Sequence, residues 1–227
     1  MPTYKDITYA LATSNRKTLS IYIERDGQIS VLAPQDFTHG KIEEVLEQKR
    51  GWIYKSLAEW EDLNSTRVKR EYVNGEGFLY LGRTYRLQIV EQQDKPLILK
   101  NGYFSLLRQA LPKAEDVFKD FYRQKGNKKL RERVSLYENK LGVKAHDVRL
   151  QELKNRWASC SEKKNLNFHW KCMMAPLTVL DYVVVHELVH LLHKNHTTAF
   201  WNEVDKLIPD YQERKQWLKV NGAGMGL

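Results

Sequence analysis

The stretch Val179-Leu180-Asp181-Tyr182-Val183-Val184-Val185 is apolar at six of its seven positions and runs directly into His186-Glu187-Leu188-Val189-His190. A segment this apolar has to be buried, and the pattern around it predicts a helix from about Leu177 to His193. Residues four apart on a helix face the same way, about 6 Å from one another. His186 and His190 can therefore reach one metal ion. Glu187, directly after the first histidine, falls beside such an ion rather than on it, where its carboxylate can take a proton from water. Whatever the rest of the chain does, it has to build a core around this helix.

An open catalytic zinc takes three protein ligands and a water. His193 lies on the same face, but in a straight helix it stands about 10 Å along the axis from His186, too far for bonds of about 2.1 Å. His196 lies beyond Lys194-Asn195, and asparagine tolerates the left-handed conformation that ends helices, so the chain can turn back there. His196 is the preferred third ligand, with Glu203 and Glu213 as alternatives. A His-Glu-x-x-His pattern also occurs by chance in helices that bind nothing. Four histidines within eleven residues, the first following an apolar helical run, weigh against chance here. The expected ion is Zn2+, although another divalent transition metal suits the same donors.

The 227 residues suffice for one good core or two small ones. Thr18 to Ile23 and Gln28 to Leu32 alternate in strand fashion around Asp26-Gly27, the signal of a two-residue type I′ hairpin. From Phe37 to Leu63 the spacing is helical despite Gly51. Short strands follow at Phe78 to Leu81, Thr84 to Val90, Pro96 to Leu99 and Tyr103 to Leu107, and are expected to extend the first sheet. After Pro112 the pattern turns helical, with a break at Gly126-Asn127 and an end at Gly142. Strand candidates at Asp147 to Leu150 and Asn165 to Trp170 precede the metal helix, and helices follow at Thr197 to Leu207 and Tyr211 to Val220. The predicted fold class is α+β: an N-terminal antiparallel β-rich region with a helix over residues 1–111, then a helical metal-binding catalytic domain with a small sheet over residues 112–227. No internal repeat appears.

The net charge of +9 favours anionic partners. Much of it sits in Arg123 to Arg133, which reads either as a solvated helix face or as a patch that tracks the phosphates of a nucleotide or nucleic acid. No run approaches the length of a membrane span, and the start lacks the apolar core of a secretory signal. A cytoplasmic location without membrane contact is the resulting expectation. Cys160 and Cys172 are then expected as thiols. The oligomeric state is open.

From Asn155 to Val220 the chain resembles the YgjP-like metallopeptidase family, related to the SprT and WLM groups of zincins. Three elements carry the resemblance: Arg156-Trp157-Ala158-Ser159-Cys160, similar to the family's RWGSC; the segment from Leu180 to His190; and Asn195-His196-Thr197-Thr198-Ala199-Phe200-Trp201. The resemblance implies His186, His190 and His196 as ligands, Glu187 as the catalytic residue, and a β-rich N-terminal region before a helical zincin core. Ala158 replaces a glycine, a change that matters only if the backbone there needs a positive φ.

Several residues are candidates for supporting roles. Arg156 offers a planar fork for an anionic group of the substrate or for a structural ion pair. His169 can line the cleft where an extended peptide pairs with a strand edge, and Tyr211 can donate to a developing oxyanion or serve in packing. Trp157 and Trp170 are expected to pack against the metal helix. Asp181 and Glu203 are candidates to hold ligand imidazoles from behind. Three functional readings follow. The first is a zinc-dependent hydrolase acting on a peptide or protein, with Glu187 as general base. The second is a metal-dependent nucleotide phosphohydrolase of the nucleoside triphosphate pyrophosphatase kind. The third is a DNA-associated protein whose protease activity needs a recruited substrate.

Overall fold

The structure is a computed structural model that describes residues 1–24, 26–64, 69–153 and 156–227. Asn155, where the family resemblance begins, lies outside the described residues. The architecture is α+β, and the chain divides into two compact units, Met1–Arg67 and Val68–Leu227.

The first unit opens with strands β1 (Thr3–Tyr4), β2 (Ile7–Ser14), β3 (Ser20–Ile23) and β4 (Ile29–Pro34). They form one sheet in the order β1-β2-β4-β3, with β2 and β4 parallel and the outer pairs antiparallel. Ile7 and Tyr9 point inward at strand spacing. They meet Ile42, Leu46 and Ile53 of helix α1 (His39–Asn64), which runs through Gly51 without interruption. The hairpin at Asp26-Gly27 is wider than the two-residue turn expected, because Ile23 pairs with Ile29. The Asp26 carboxylate accepts from Gln28 N–H at 3.0 Å, and Gly27 N–H donates back to Glu24 C=O at 3.0 Å. A local side-chain turn of this kind competes with the tight hairpin.

The second unit begins with β5 (Gly77–Tyr80), β6 (Arg83–Val90), β7 (Leu97–Lys100) and β8 (Tyr103–Leu107). These strands do not extend the first sheet. They close on themselves in the order β5-β6-β8-β7 through a parallel β6–β8 pair. Their inward faces share a core with helix α2 (Ala114–Leu141): Phe78 and Phe104 lie 4.3 and 5.2 Å from the Phe118 ring, centroid to centroid, and the Tyr122 hydroxyl bonds to Leu79 C=O. The boundary expected between residues 111 and 112 therefore falls inside a unit, in a 3-10 turn at Arg108–Lys113. Burial of the strands against α2 moves the division to residues 67 and 68.

Helix α2 continues through Gly126-Asn127, where a break was expected, and ends at the left-handed Gly142 (φ 66°). Gly126 serves packing instead: a Cβ there would lie 2.6 Å from side-chain atoms of both Leu150 and Met173. A three-stranded sheet follows, with β9 (Asp147–Gln151) parallel to β11 (Asn165–His169) and β10 (Ala158–Cys160) antiparallel at the edge. Helices α3 (Leu177–Val189), α4 (Thr198–Leu207) and α5 (Tyr211–Asn221) complete the unit.

Helix α3 carries the apolar run and is buried along most of its length. Valines restrict helices through their branched Cβ, so burial rather than propensity sustains this one. Two contacts fix where it starts and how it lies. The β5–β6 turn donates from Leu81 N–H to Met173 C=O (2.8 Å) and from Gly82 N–H to Met174 C=O (3.1 Å), and a Cβ on Gly82 would collide with Pro176 at 2.8 Å. From α2, Arg133 grips the buried Asp181 with both arms of its fork, Nε–Oδ1 2.6 Å and Nη2–Oδ2 2.7 Å. Among the described residues, no helix is long and apolar enough to cross a membrane.

Candidate metal centre

The last turn of α3 brings His186 and His190 onto one face, ring centroids 5.0 Å apart. The helix ends at Val189, four residues earlier than the sequence suggests. Leu191, Leu192 and His193 tighten onto the carbonyls of Leu188, Val189 and Val189, and the His193 carbonyl turns back to within 3.1 Å of His190 Nδ1. His193 thus contributes its backbone and not its ring. A carbonyl only accepts, so this bond places the His190 proton on Nδ1 and leaves Nε2 as a lone pair, the form a metal requires.

The chain then returns. Thr197 caps α4 by accepting from Phe200 N–H, and His196, just before the cap, swings its Nε2 to 3.0 Å from His186 Nε2. Ligand-capable atoms of His186, His190 and His196 all lie within 4.8 Å of one another. Phe200, fully buried, packs within 5.0 Å of all three rings and holds them together. Glu203 and Glu213 are not in this group; Glu203 pairs with Lys206 at 2.6 Å, and Asp181 is engaged by Arg133 rather than by an imidazole.

The donor set fits a divalent transition ion. Burial, helped by the neighbouring His190, His196 and Lys215, pushes the His186 pKa down to about 3, and burial lowers that of His196 as well. Both rings are neutral at neutral pH, as metal ligation demands. His186 Nδ1 is buried and has no hydrogen-bond partner among the described residues. Three imidazoles, two of them kept neutral by their surroundings, suit zinc, copper, iron or nickel better than a hard, oxygen-seeking cation.

Glu187 is 6% exposed. Burial raises its pKa to about 8, opposed by the charge of Arg156 and by a hydrogen bond from the Cys160 backbone N–H on β10. That N–H is available because β10 pairs only with β11, leaving its other edge toward α3. Ala158 begins β10 and is not among the residues with positive φ, so the exchange for glycine introduces no backbone strain.

The other candidates are placed as follows. Arg156 is exposed and acts on Glu187 through its charge. Tyr211 opens α5, its ring stacked on Trp201 at 5.2 Å and its hydroxyl accepting from Gln212 at 2.8 Å; Trp201 in turn stacks on His196 at 5.6 Å. His169 is buried away from solvent, where its Nδ1 accepts from Lys171 N–H and its Nε2 lies 3.5 Å from Glu152. That arrangement braces the end of β11. Trp170 packs on Tyr122 of α2, donates to Glu152 and belongs to the same buried cluster as the apolar residues of α3. Cys160 and Cys172 are thiols rather than a disulfide, and the Cys172 Sγ lies 3.4 Å from Trp157 C=O.

Of the basic stretch, Arg123 pairs with Asp120, Lys129 with Glu132, Arg131 with Asp147 and Arg133 with Asp181. Most of it is thus engaged within the protein, as a helix surface is. Sequence reasoning missed Phe200, the Cys160 amide and Lys215. Phe200 has a legible signal, three residues after a capping threonine and hence turned inward. Cys160 lies in the Arg156–Cys160 element that carries the family resemblance, but nothing in that element shows that its amide meets Glu187, and Lys215 has no signal, because α5 reaches the site only in three dimensions.

No curated protein matches the chain. Among solved structures, the crystal structure of the metallopeptidase zymogen of Pyrococcus abyssi abylysin overlaps it loosely, at 22% identity and a TM-score of 0.38, covering 43% of this chain and 99% of that one. Far more extensive is the match of residues 17–221 to the YgjP-like metallopeptidase domain. Since it takes in both units and every histidine of the cluster, the chain belongs to the YgjP-like metallopeptidase family.

Proposed function

We propose that the protein is a zinc peptidase in which His186, His190 and His196 hold the ion and Glu187 is the general base. The observation that carries this reading is the convergence of three imidazoles beside a buried glutamate that, among the described residues, no cation clamps in an ion pair. When bound, zinc lowers the pKa of a water toward about 7 and polarises a peptide carbonyl. Glu187 takes the proton from the attacking water and later hands it to the leaving amine. Its burial raises its affinity for that proton, and the Cys160 N–H fixes the carboxylate so that one oxygen stays oriented for the transfer. Arg156 tempers the burial, keeping the carboxylate ionised often enough to accept. Phe200 and the apolar face of α3 exclude competing water. Arg156 and Tyr211 are the candidates to meet a bound peptide's polar groups.

Two variants test this. Glu187→Gln is expected to retain one ion per chain and to lose a factor of about 100 to 10,000 in kcat on peptide substrates. His196→Ala is expected to lose the ion. Metal analysis and peptide turnover on the same preparations decide: unchanged turnover in Glu187→Gln, or equal metal content in His196→Ala and the unaltered chain, would overturn the assignment.

A further inference from the structure

Lys215, a cation on α5, is tied to the histidine cluster through one aromatic ring. Lys215 is exposed, yet it is not loose on the surface. Its Nζ lies 5.1 Å from the centre of the Trp201 ring, which stacks on His196 on the metal side and also on Tyr211. The helix beneath it is pinned: Arg214, the preceding residue, donates to Thr178 C=O at the start of α3 (2.8 Å) and grips Asp210 with two bonds (2.9 and 2.8 Å). Among the described residues, no carboxylate lies within ion-pair distance of Lys215. Arg214 next to it is engaged, and so is Lys206 on α4; Lys215 is a fixed ammonium beside the cluster with its charge uncompensated.

We propose that Lys215, held on the Trp201 ring, is a specificity residue that binds a carboxylate of the peptide substrate next to the scissile bond. The inference rests on the peptidase reading and deepens it by naming the substrate class, peptides with an acidic group at the site. An ammonium on an aromatic shelf still has donors free, since the ring takes up one side of it and a carboxylate oxygen can accept from the other. Lysine rather than arginine acts as a compact point charge here, so it accepts carboxylates in several orientations. The carboxylate has two sources, the free C-terminus of a short peptide or the side chain of an aspartate or glutamate, and the test separates them.

Binding is measured by calorimetry on the zinc-loaded Glu187→Gln protein, which does not turn peptides over, with three peptides of one sequence: a free acid, its C-terminal amide, and an amide carrying an internal glutamate. One or both carboxylate peptides should bind about fivefold tighter than the neutral amide, as a single partly exposed ion pair allows. Adding Lys215→Ala should abolish that difference at unchanged metal content. Lys215→Arg should restore it, and Lys215→Glu should reverse it. A preference confined to the free acid assigns the C-terminus as the ligand; one confined to the internal glutamate assigns a side chain. The proposal falls if the carboxylate peptides keep the same advantage in Lys215→Ala, or have none to begin with. Turnover by the unaltered enzyme is recorded in parallel. If it cleaves peptides and Lys215 proves indifferent, this inference alone fails; if it cleaves none while Lys215 still selects carboxylates, the peptidase reading fails and the anion site stands.

Discussion

Residues 3–64 and residues 77–141 are built to one plan. Each has four strands in the order first, second, fourth, third, a parallel pair at the centre, antiparallel pairs outside, and then a long helix of 26 residues in α1 or 28 in α2. Even the first turns correspond: Lys5 and Leu81 both adopt positive φ in two-residue links between the first two strands. The two helices differ in what they bury. Helix α1 buries Ile42, Leu46 and Ile53 on one stripe and leaves Trp52 and Tyr54 exposed, whereas α2 buries Phe118, Phe121 and Tyr122 toward its sheet and Gly126, Leu130 and Val134 as well. Helix α2 is packed on a second side, by β9, by the 3-10 turn at Trp170–Met174 and by α3. The ββββα plan makes a stable layer; the elements added to its second copy turn that layer into the support of a metal site.

If this is the right reading of the difference, matched truncations in the two cores should have unmatched consequences. Phe118→Ala is expected to cost about 3–5 kcal/mol of stability and Leu46→Ala about 2–5 kcal/mol. Only the former should weaken metal retention, since α2 supports α3. Calorimetric unfolding together with metal analysis checks this, and loss of metal in Leu46→Ala would erase the distinction.

A smaller effect probes the contact that joins the support to the site. Asp181→Ala leaves Arg133 without its partner. The cost is expected near the low end for a broken buried pair, about 3 kcal/mol, because the Arg133 side chain is still 23% exposed and can reach water. Replacing both residues, as Arg133→Met with Asp181→Leu, should recover a large part of the loss, because no unpaired charge remains. Urea denaturation of the single and double variants sharpens the comparison. A double variant as unstable as the single one would mean that the ion pair itself, and not its broken half, holds α3 on α2.

These expectations also mark what was legible in the sequence. The histidine cluster was readable because its logic is local: i, i+4 spacing sets His186 and His190, and the chain bends back before His196, although Asn195 does not take the left-handed conformation expected of it. Helices α1, α2, α4 and α5 follow from periodicity, and Gly142 from its cap. The repeated plan was invisible, because strand order is specified by inward alternation that many residues satisfy, so Ile7 and Tyr9 share no letters with Phe78 or Leu87. Strands β1 and β2 were passed over for the same reason. Strand β10 is three residues long, too short for any period to register. The division of the chain was misplaced at Pro112 because a proline marks a local punctuation, while a domain boundary is set by which faces share a core. Lys215 could not be singled out among so many lysines, since its significance is the aromatic ring beneath it.

The finest distinction between the two helices rests on their mid-helix glycines, which helix propensity alone treats alike. Gly51 in α1 has nothing within 4 Å of where a Cβ would sit, whereas at Gly126 in α2 that Cβ would lie 2.6 Å from both Leu150 Cδ2 and Met173 Cγ. Removing glycine from a helix interior is worth up to about 1 kcal/mol in either case. Gly51→Ala should collect that gain and raise the stability of the chain by about 0.5–1 kcal/mol. At Gly126 the added methyl has to displace two packed side chains, at about 1–3 kcal/mol for an overpacked core. Met173 is flexible enough to relieve part of this and Leu150 less so, which leaves Gly126→Ala destabilised by up to about 2 kcal/mol net. The two substitutions are chemically identical and should shift the denaturation midpoint in opposite directions. If both stabilise, α2 is no more tightly enclosed than α1, and the contrast between the two layers loses its physical basis.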